Sequence, residues 1–512
     1  MAKRTFVYGA TILFAANFLN RILGFIYQYL IMTHIGGEAY GLFNMVFPVY
    51  MMALVLTTAG IPLAVSKMVS EALSLDNLAR MQNIFRLSLT FLSFSGGFVA
   101  ISLFFLSPYL ADHIFPDPRV LRVFLVCTPA ILIVSISSAF RGYFQGLQNM
   151  VPTALSQISE QILRVLIGFS AAIYLAPRGA EWAATGLALG MLAGEVMGLI
   201  VISIHYQLKK IKSYKDEPIP SVFQVYKELF TLSSPVTAGR LISTGLSSLD
   251  AMLIPQRLQI AGYTAREATT LFGQLGGSAF TLLTFPSVFT FALATSLVPA
   301  ISEASARNQH YVVKARSSEA IRLTILLGLP CLLILFYFAN PLTAFFKSQN
   351  IAPILRILTL GGIFSYLQQT TTGILQGLGK VYIPVIHSII SALLRIPILY
   401  VLTAQPTWGL TGTALAYVFG FFIMALLNIG ALIRYTGMPL DLQRFFLQPI
   451  SAGIGMMLLF KLTITIAESR SWFVLIQIII GLICYFAILI LNGGITLNDL
   501  RKLPWLGKYI PV

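Results

Sequence analysis

Long apolar stretches follow one another along almost the whole chain, and they constrain its fold more than any other feature. A helix needs roughly 20 mostly apolar residues to cross a bilayer, and the sequence contains fourteen such stretches. They cover residues 6–33, 40–66, 84–111, 120–144, 153–176, 183–205, 229–256, 268–300, 320–346, 352–378, 382–404, 410–434, 446–466 and 472–492. We therefore predict an all-α integral membrane protein with fourteen transmembrane helices.

The composition leaves little room for a soluble domain. Hydrophobic residues make up 57% of the chain and charged residues 10%, whereas soluble proteins have roughly 45–50% and about 25%. The connections are short, and no Walker A or HExxH motif occurs. The histidines and the three cysteines, Cys127, Cys331 and Cys484, are scattered without zinc spacing. We expect no enzymatic activity, no cofactor and no bound metal.

The net charge of +16 is distributed unevenly along the chain. Of the 34 Lys and Arg residues, 20 flank the spans on the side of the amino terminus and seven on the opposite side. The positive-inside rule then places both termini in the cytoplasm, which requires an even number of spans. Nucleic acid is not expected as a partner. The basic segment 209–215 either binds anionic lipid headgroups or only helps to fix the orientation of the spans.

Two units of six spans repeat each other. A constant offset of 231 relates two groups of residues, Gly142, Gln145, Gly146, Leu147 and Arg164 in the first unit and Gly373, Gln376, Gly377, Leu378 and Arg395 in the second. Further on, Trp182-x-x-Thr185-Gly186 matches Trp408-x-x-Thr411-Gly412, and upstream Arg21 corresponds to Arg240. Because six is even, the repeat is parallel, an arrangement found in secondary transporters with a site near the membrane midplane.

The repeat predicts four regions of the chain. They are an amino-terminal six-helix lobe at 1–210, a basic cytoplasmic linker at 211–228, a carboxy-terminal six-helix lobe at 229–437, and two extra helices with a cytoplasmic tail at 438–512. Proline and glycine interrupt spans two and eight, as expected of helices that line a cavity or bend during transport. The interrupting residues are Pro48, Pro62, Pro286, Pro299, Gly273, Gly276 and Gly277.

Charges inside the spans are few, and each is a candidate site residue because a buried charge costs roughly 2.5–3.5 kcal/mol at the bilayer centre. They are Arg21, Glu160, Arg164, Glu195, Arg240, Asp250 and Arg395, with Arg141 and Arg356 nearer the span ends. Glu160 and Arg164 are four residues apart, so they lie on one helix face and can pair structurally. Arg21, Arg240 and Arg395 have no acid one turn away, although Glu195 and Asp250 could neutralise two of them across helices.

Four arginines against three acids leave a positive excess that favours an anionic substrate. The arginine fork donates bidentate hydrogen bonds to phosphate oxygens. We predict that Arg21, Arg240 and Arg395, with Arg164 and Glu160, line a central cavity that binds a diphosphate. Glu195 and Asp250 would be coupling residues or counter-charges. For any single arginine, the alternative is a structural link between helices.

Several segments resemble the stage V sporulation protein B family, which lies within the multidrug/oligosaccharidyl-lipid/polysaccharide exporter superfamily. The resemblance covers essentially the whole chain. The segments that carry it are Asn20-Arg21-Ile22-Leu23-Gly24-Phe25, Gly60-Ile61-Pro62-Leu63-Ala64-Val65-Ser66-Lys67, Arg141-Gly142-Tyr143-Phe144-Gln145-Gly146 and Gln157-Ile158-Ser159-Glu160-Gln161. The family implies two six-helix lobes with two extra helices, and export of an undecaprenyl-diphosphate-linked precursor, lipid II for spore cortex peptidoglycan.

The chain also departs from the lipid II flippases of that superfamily. They carry an Arg-Asp pair where this chain has Tyr27-Gln28, and an arginine where it has Thr281, whereas Arg21 is retained. A flippase for another polyprenyl-linked polysaccharide and a cation-coupled multidrug exporter therefore remain alternatives. A membrane enzyme or scaffold would not explain the repeat. We expect a monomer in the cell membrane whose partners are the lipid-linked anionic glycan, membrane lipids and cell-wall synthesis enzymes.

The charge distribution makes a prediction about topology. Reporters fused after Val512 or inserted at 209–215 should report a cytoplasmic location, and a reporter near Arg178 should lie outside, because Lys and Arg concentrate on the cytoplasmic side. Paired alkaline phosphatase and fluorescent-protein fusions measure both compartments. An extracytoplasmic carboxy terminus would contradict an even number of spans.

Overall fold

The computed structural model describes residues 2–58, 60–208, 221–439, 441, 443–467 and 471–495, and within these residues it contains helices and no strand. The α-helices are α1 Ala2–His34, α2 Gly37–Thr58, α3 Ile61–Ser74, α4 Leu78–His113, α5 Leu121–Gly146, α6 Val151–Leu175, α7 Ala180–Leu208, α8 Val222–Ile260, α9 Ala265–Gln274, α10 Thr281–Thr284, α11 Ser287–Ala306, α12 His310–Tyr337, α13 Ala339–Phe345, α14 Ala352–Gly377, α15 Tyr382–Leu402, α16 Gly409–Thr436, α17 Gln448–Ala467 and α18 Ser471–Leu491. The predicted all-α membrane fold is confirmed.

Twelve helical segments of the described chain are long and apolar enough to cross a membrane. They correspond to every predicted span except the first and the seventh, which form α1 and α8. Helix α8 is 39 residues long, but polar residues such as Arg240 and Asp250 lower its hydropathy. The count of fourteen spans therefore stays a prediction.

Spans two and eight are both interrupted, as their prolines and glycines predict. In span two, α2 ends at Thr58 and α3 begins at Ile61, with a proline in its first turn, where the missing N–H costs nothing. A Cβ on Gly60 would lie 2.6 Å from Ser233 Cα, so only glycine permits this approach of α8. In span eight, a π-helical turn at Leu275–Phe280 and the short α10 separate α9 from α11.

The chain divides into two compact units, Met1–Ser278 with Ala404–Thr407 and Ala279–Thr403 with Trp408–Val512. The first unit contains α1 to α9, so the first helices of the second sequence repeat belong to it. The predicted lobe boundaries stay a prediction. The linker up to residue 220 and the tail from residue 496 lie outside the described residues.

In the first unit, α9 is attached to the first repeat by polar contacts at the helix ends. Glu38 of α2 accepts from Arg119 Nη1 at 2.7 Å and from Arg266 Nε at 2.8 Å. Asp117 accepts from Arg119 Nε at 2.9 Å and from the Thr269 hydroxyl at 2.9 Å. Burial raises the pKa of Asp117, but these hydrogen bonds outweigh it and hold the pKa below its usual value.

Helices α6 and α7 approach closely through small residues. A Cβ on Gly186 would lie 2.5 Å from Ala172 Cα, and a Cβ on Gly190 would overlap the backbone of Gly168. Small residues let membrane helices pack backbone to backbone, where dispersion and weak hydrogen bonds hold them together. This pair of helices carries three of the charged residues predicted from the sequence, Glu160 and Arg164 on α6 and Glu195 on α7.

In the second unit, the two helices beyond the repeat pack against α12 and α13. Phe338, Phe460 and Tyr485 form a buried cluster there. The hydroxyl of Tyr337 donates to the carbonyl oxygen of Phe460 at 2.8 Å. Helices α17 and α18 are thus part of the second unit.

Large apolar side chains cover the outer faces of several helices. On α4, Phe94 is 75% exposed and Phe105 is 76% exposed, and on α18 Ile483 is 64% exposed. Such exposed apolar surface is far larger than a soluble monomer carries. These faces are the surfaces that contact lipid chains.

The close packing of α6 and α7 predicts a difference between two helical glycines. Gly190→Ala should destabilise the protein by about 1–3 kcal/mol because the methyl group has no space. Gly245→Ala, on α8 with no atom within 4 Å of the added Cβ, should be neutral or slightly stabilising because alanine favours helix. Thermal unfolding of both purified variants measures the difference. Equal melting temperatures would contradict the close approach.

Candidate functional site

Four charged side chains form a connected ion-pair network within the first unit. Arg164 of α6 donates through Nη2 to Glu160 Oε1 on the same helix at 2.6 Å and to Glu195 Oε1 of α7 at 2.8 Å. Arg141 of α5 donates through Nη2 to Glu160 Oε2 at 2.9 Å. The network contains two cations and two anions, so it is neutral as a whole and connects three helices.

Local packing explains why these groups meet. The spacing of four residues places Glu160 and Arg164 on one face of α6. A Cβ on Gly194 would lie 2.7 Å from the Glu160 carbonyl oxygen and 3.1 Å from Arg164 Cβ. Because Gly194 lacks this atom, α7 lies close enough for its next residue, Glu195, to reach the guanidinium.

A cavity of about 290 Å³ lies beside Arg164 in the same unit. Side chains and backbone of α1, α2, α6 and α7 line it: Asn20, Gly24, Tyr27, Gln28, Ile31, Tyr40, Phe43, Asn44, Phe47, Gln161, Arg164, Leu187 and Met191. Four of these side chains are amides, although all of them lie inside long helices. The cavity therefore combines four amides and one arginine with a larger apolar lining.

Some polar atoms around this cavity have no protein partner. Asn20 Oδ1, Tyr27 Oη and Arg164 Nε are buried atoms without a hydrogen bond. Buried polar groups are nearly always paired, so these atoms mark a part of the unit where polar groups exceed their protein partners. The π-helical turn after α9 reaches the same region, since a Cβ on Gly276 would lie 2.7 Å from Asn44 Nδ2.

The remaining predicted site residues lie elsewhere. Arg21 of α1 is half-buried and directly follows Asn20. On α8, Arg240 is exposed and Asp250 is buried. Arg395 of α15 belongs to the second unit. That Arg21, Arg240 and Arg395 line one cavity stays a prediction.

Arg395 occupies the position in the second repeat that Arg164 occupies in the first, but its surroundings differ. Its side chain is 8% exposed, and its guanidinium lies 4.5 Å from the centre of the Tyr417 ring. A Cβ on Gly420 would lie 2.6 Å from Arg395 Cδ, and Gly420 corresponds to Gly194. The arginine–glycine packing is thus repeated, and a cation–π contact is present in the second unit.

The acidic partners are not repeated. At the positions that correspond to Glu160 and Glu195, the second repeat has Ser391 and Phe421. The counterpart of Arg141 is Thr372. The second repeat therefore keeps one arginine of the network and none of its carboxylates.

Sequence reasoning found part of this site. It predicted the pairing of Glu160 with Arg164, which the structure shows, but it missed Arg141 as a partner of Glu160 and Arg164 as the partner of Glu195. It also missed the amides, although Asn20, Gln28 and Asn44 were visible as polar residues within the first two spans. Among the described residues, no group of three His, Cys, Asp or Glu side chains could hold a metal ion.

Comparisons with known proteins point to transporters. Residues 6–305 match the family described as Polysaccharide biosynthesis protein, and residues 276–401 match the family described as MatE. The chain is 34% identical to Stage V sporulation protein B of Bacillus subtilis (strain 168), covering 100% of both chains. It is 25% identical to the lipid II flippase MurJ of the same organism, covering 81% of this chain and 82% of MurJ.

Solved structures share the fold. A structure of lipid II flippase MurJ in an inward closed conformation has a TM-score of 0.63 at 18% identity, covering 93% of this chain and 98% of that one. An inward-facing multidrug resistance MATE family transporter of the MOP superfamily has a TM-score of 0.69 at 16% identity, covering 81% and 94%. At these identities the likeness concerns the fold alone.

The ion-pair network predicts a large effect of one substitution. Arg164→Met should lower stability by about 3–5 kcal/mol, because it leaves the buried Glu195 and the partly buried Glu160 with one cation. Lys67→Met is the matched control. Lys67 and Glu71 are 3.6 Å apart with side chains 56% and 45% exposed, and such pairs contribute about 0–1 kcal/mol. Thermal unfolding in detergent measures both variants, and adding Glu195→Gln to Arg164→Met should restore part of the loss. A normal melting temperature for Arg164→Met would contradict this role.

Proposed function

This chain belongs to the stage V sporulation protein B-like family of polysaccharide biosynthesis proteins, and on that premise we propose that it is a flippase for an undecaprenyl-diphosphate-linked glycan precursor. As a member of the multidrug/oligosaccharidyl-lipid/polysaccharide exporter superfamily, it is a multi-pass membrane transporter and not an enzyme. The proposed substrate crosses the cytoplasmic membrane by alternating access.

The observation that carries the proposal is the balance of charges within the helices. The network neutralises Arg141 and Arg164 with Glu160 and Glu195. Of the other intramembrane charges singled out from the sequence, three are arginines and one is an acid, Asp250. A cationic excess favours an anionic headgroup. Arginine matches a diphosphate because its planar fork donates two parallel hydrogen bonds.

The finer proposal is that the cargo is lipid II for spore cortex peptidoglycan. Two relatives support it: one is a sporulation protein that the chain matches over its full length, and another is a lipid II flippase. Another polyprenyl-linked polysaccharide has the same diphosphate chemistry, so the arginines do not separate the two. The proposed setting is a monomer in the cell membrane with both termini in the cytoplasm, working with cell-wall synthesis enzymes.

A cation-coupled multidrug exporter is the second candidate, and the match of residues 276–401 to MatE and the similarity to a MATE fold favour it. An exporter of this kind would need an intramembrane acid that is available to a cation. In the described part of the first unit, Glu160 and Glu195 both accept hydrogen bonds from arginines. This arrangement supports the flippase over a drug exporter that would couple through Glu160 or Glu195, and it leaves Asp250 of α8 as the candidate acid for cation coupling.

The proposed diphosphate site predicts the behaviour of arginine variants. In cells depleted of the native protein, Arg21→Ala and Arg240→Ala should each reduce transport by about tenfold to a hundredfold, because each loses charge-assisted hydrogen bonds of about 1.5–3 kcal/mol. The corresponding lysine variants should rescue only partly, since lysine keeps the charge but loses the fork. The measurement is the distribution of lipid-linked precursor between the two membrane leaflets.

Two controls make this experiment decisive. Arg307→Ala removes an arginine whose side chain is 65% exposed and paired with Glu303, so it should transport normally. Glu160→Gln should mainly lower protein abundance, because Glu160 joins Arg141 and Arg164. Full transport at normal abundance in the Arg21→Ala, Arg240→Ala double variant would contradict the proposed diphosphate site. Normal arrival of the precursor in the outer leaflet of cells that lack the protein would contradict the proposal that the protein is the flippase.

A further inference from the structure

The cavity beside Arg164 has an unusual combination of properties, and we propose that it binds one neutral sugar ring of the lipid-linked glycan. This inference rests on the proposed function and adds a second recognition element to it. The diphosphate would bind to arginines, and the sugar would bind to the amides and aromatic rings of α1, α2 and α6.

The charges around the cavity favour a neutral ligand. Arg164 is the one cation among the lining residues, and its Nη2 is held by Glu160 at 2.6 Å and by Glu195 at 2.8 Å. A cation entering the cavity would be repelled by the guanidinium of Arg164, which lines it. An anion would gain little attraction, because Glu160 and Glu195 already compensate the positive charge of Arg164.

The polar groups of the lining suit hydroxyl and amide substituents. Asn20, Asn44 and Gln161 each carry a donor and an acceptor, and the tyrosine hydroxyl of Tyr27 can act as both, whereas Gln28 and Tyr40 are hydrogen-bonded to each other. Two of the atoms, Asn20 Oδ1 and Tyr27 Oη, are buried and have no partner in the protein. Sugar hydroxyls also donate and accept, so they can satisfy such a mixed set without adding charge.

An aromatic wall supplies the apolar half of the site. Tyr40, Phe43 and Phe47 follow one face of α2, with ring centres 6.3 Å and 5.9 Å apart. The C–H face of a sugar ring can pack on such rings while its hydroxyls point to the amides. The volume of about 290 Å³ is just below the roughly 300–1,000 Å³ of small-molecule pockets, so the cavity suits a single ring and not a longer glycan.

The internal repeat separates this site from the predicted arginine site. Arg21 and Arg164 have the counterparts Arg240 and Arg395. The cavity residues Asn20, Tyr27, Gln28 and Gln161 instead correspond to Gly239, Leu246, Ser247 and Ala392. The arginines are thus present in both repeats, whereas the four amides that line the cavity all come from the first repeat. A ligand with one sugar end needs only one such cavity.

Two diphosphate diesters of equal charge, one with a sugar and one without, test the inference. Binding of farnesyl diphosphate capped by a methyl ester on its terminal phosphate and of farnesyl diphosphate carrying one N-acetylglucosamine is measured on the full chain in nanodiscs by titration calorimetry. The sugar-bearing probe should bind about tenfold more tightly to the native protein. Asn20→Ala and Gln161→Leu should each reduce this preference about three- to tenfold, the loss expected for one neutral hydrogen bond, and leave binding of the sugar-free probe unchanged.

The control is Gln157→Leu, one turn before Gln161 on α6, half-buried as well and outside the lining. It should keep the sugar preference. Arg21→Ala should weaken both probes equally. If the native protein binds both probes with one affinity, the sugar site is wrong and the diphosphate proposal stands. If neither probe binds, the proposed function fails and the sugar site fails with it. Thermal unfolding of each variant identifies misfolding. If Gln161→Leu misfolds, the sugar preference of Asn20→Ala decides the test, because that substitution adds no bulk.

Discussion

A hydrocarbon interior offers no hydrogen-bond partner, and this constraint governs the whole structure. Backbone groups within the spans must pair with one another, so the described chain is helical. Charged side chains must pair, face water or bind a ligand. The network of Arg141, Glu160, Arg164 and Glu195 is the clearest consequence, because its hydrogen bonds connect α5, α6 and α7 and thereby set the wall beside which the polar cavity lies.

The two repeats obey the same constraint in different ways. Each has an arginine packed against a glycine of the following helix, Arg164 near Gly194 and Arg395 near Gly420. In the first unit the arginine is compensated by carboxylates, whereas in the second it lies over the ring of Tyr417. The duplicated arginine thus lies in two different chemical environments.

Much of the fold could be predicted from the sequence because hydrophobic length and proline position are local properties. The apolar stretches marked the spans, and Pro62 and Pro286 marked the beginnings of α3 and α11 in spans two and eight. The site was harder to predict. The pair of Glu160 and Arg164 is local, one turn apart, and was therefore predictable. The bond from Arg164 to Glu195 spans 31 residues and depends on how closely Gly194 lets two helices approach.

The sequence by itself determined the membrane-embedded helical class, the internal repeat and the excess of arginine, because each follows from the order and composition of residues along one chain. Only the tertiary structure decided which charges neutralise one another and which amides face a common cavity. Asn20, Asn44 and Gln161 lie on three different helices. Their convergence depends on the distances and rotations of packed helices, which the spacing of residues along one helix does not encode.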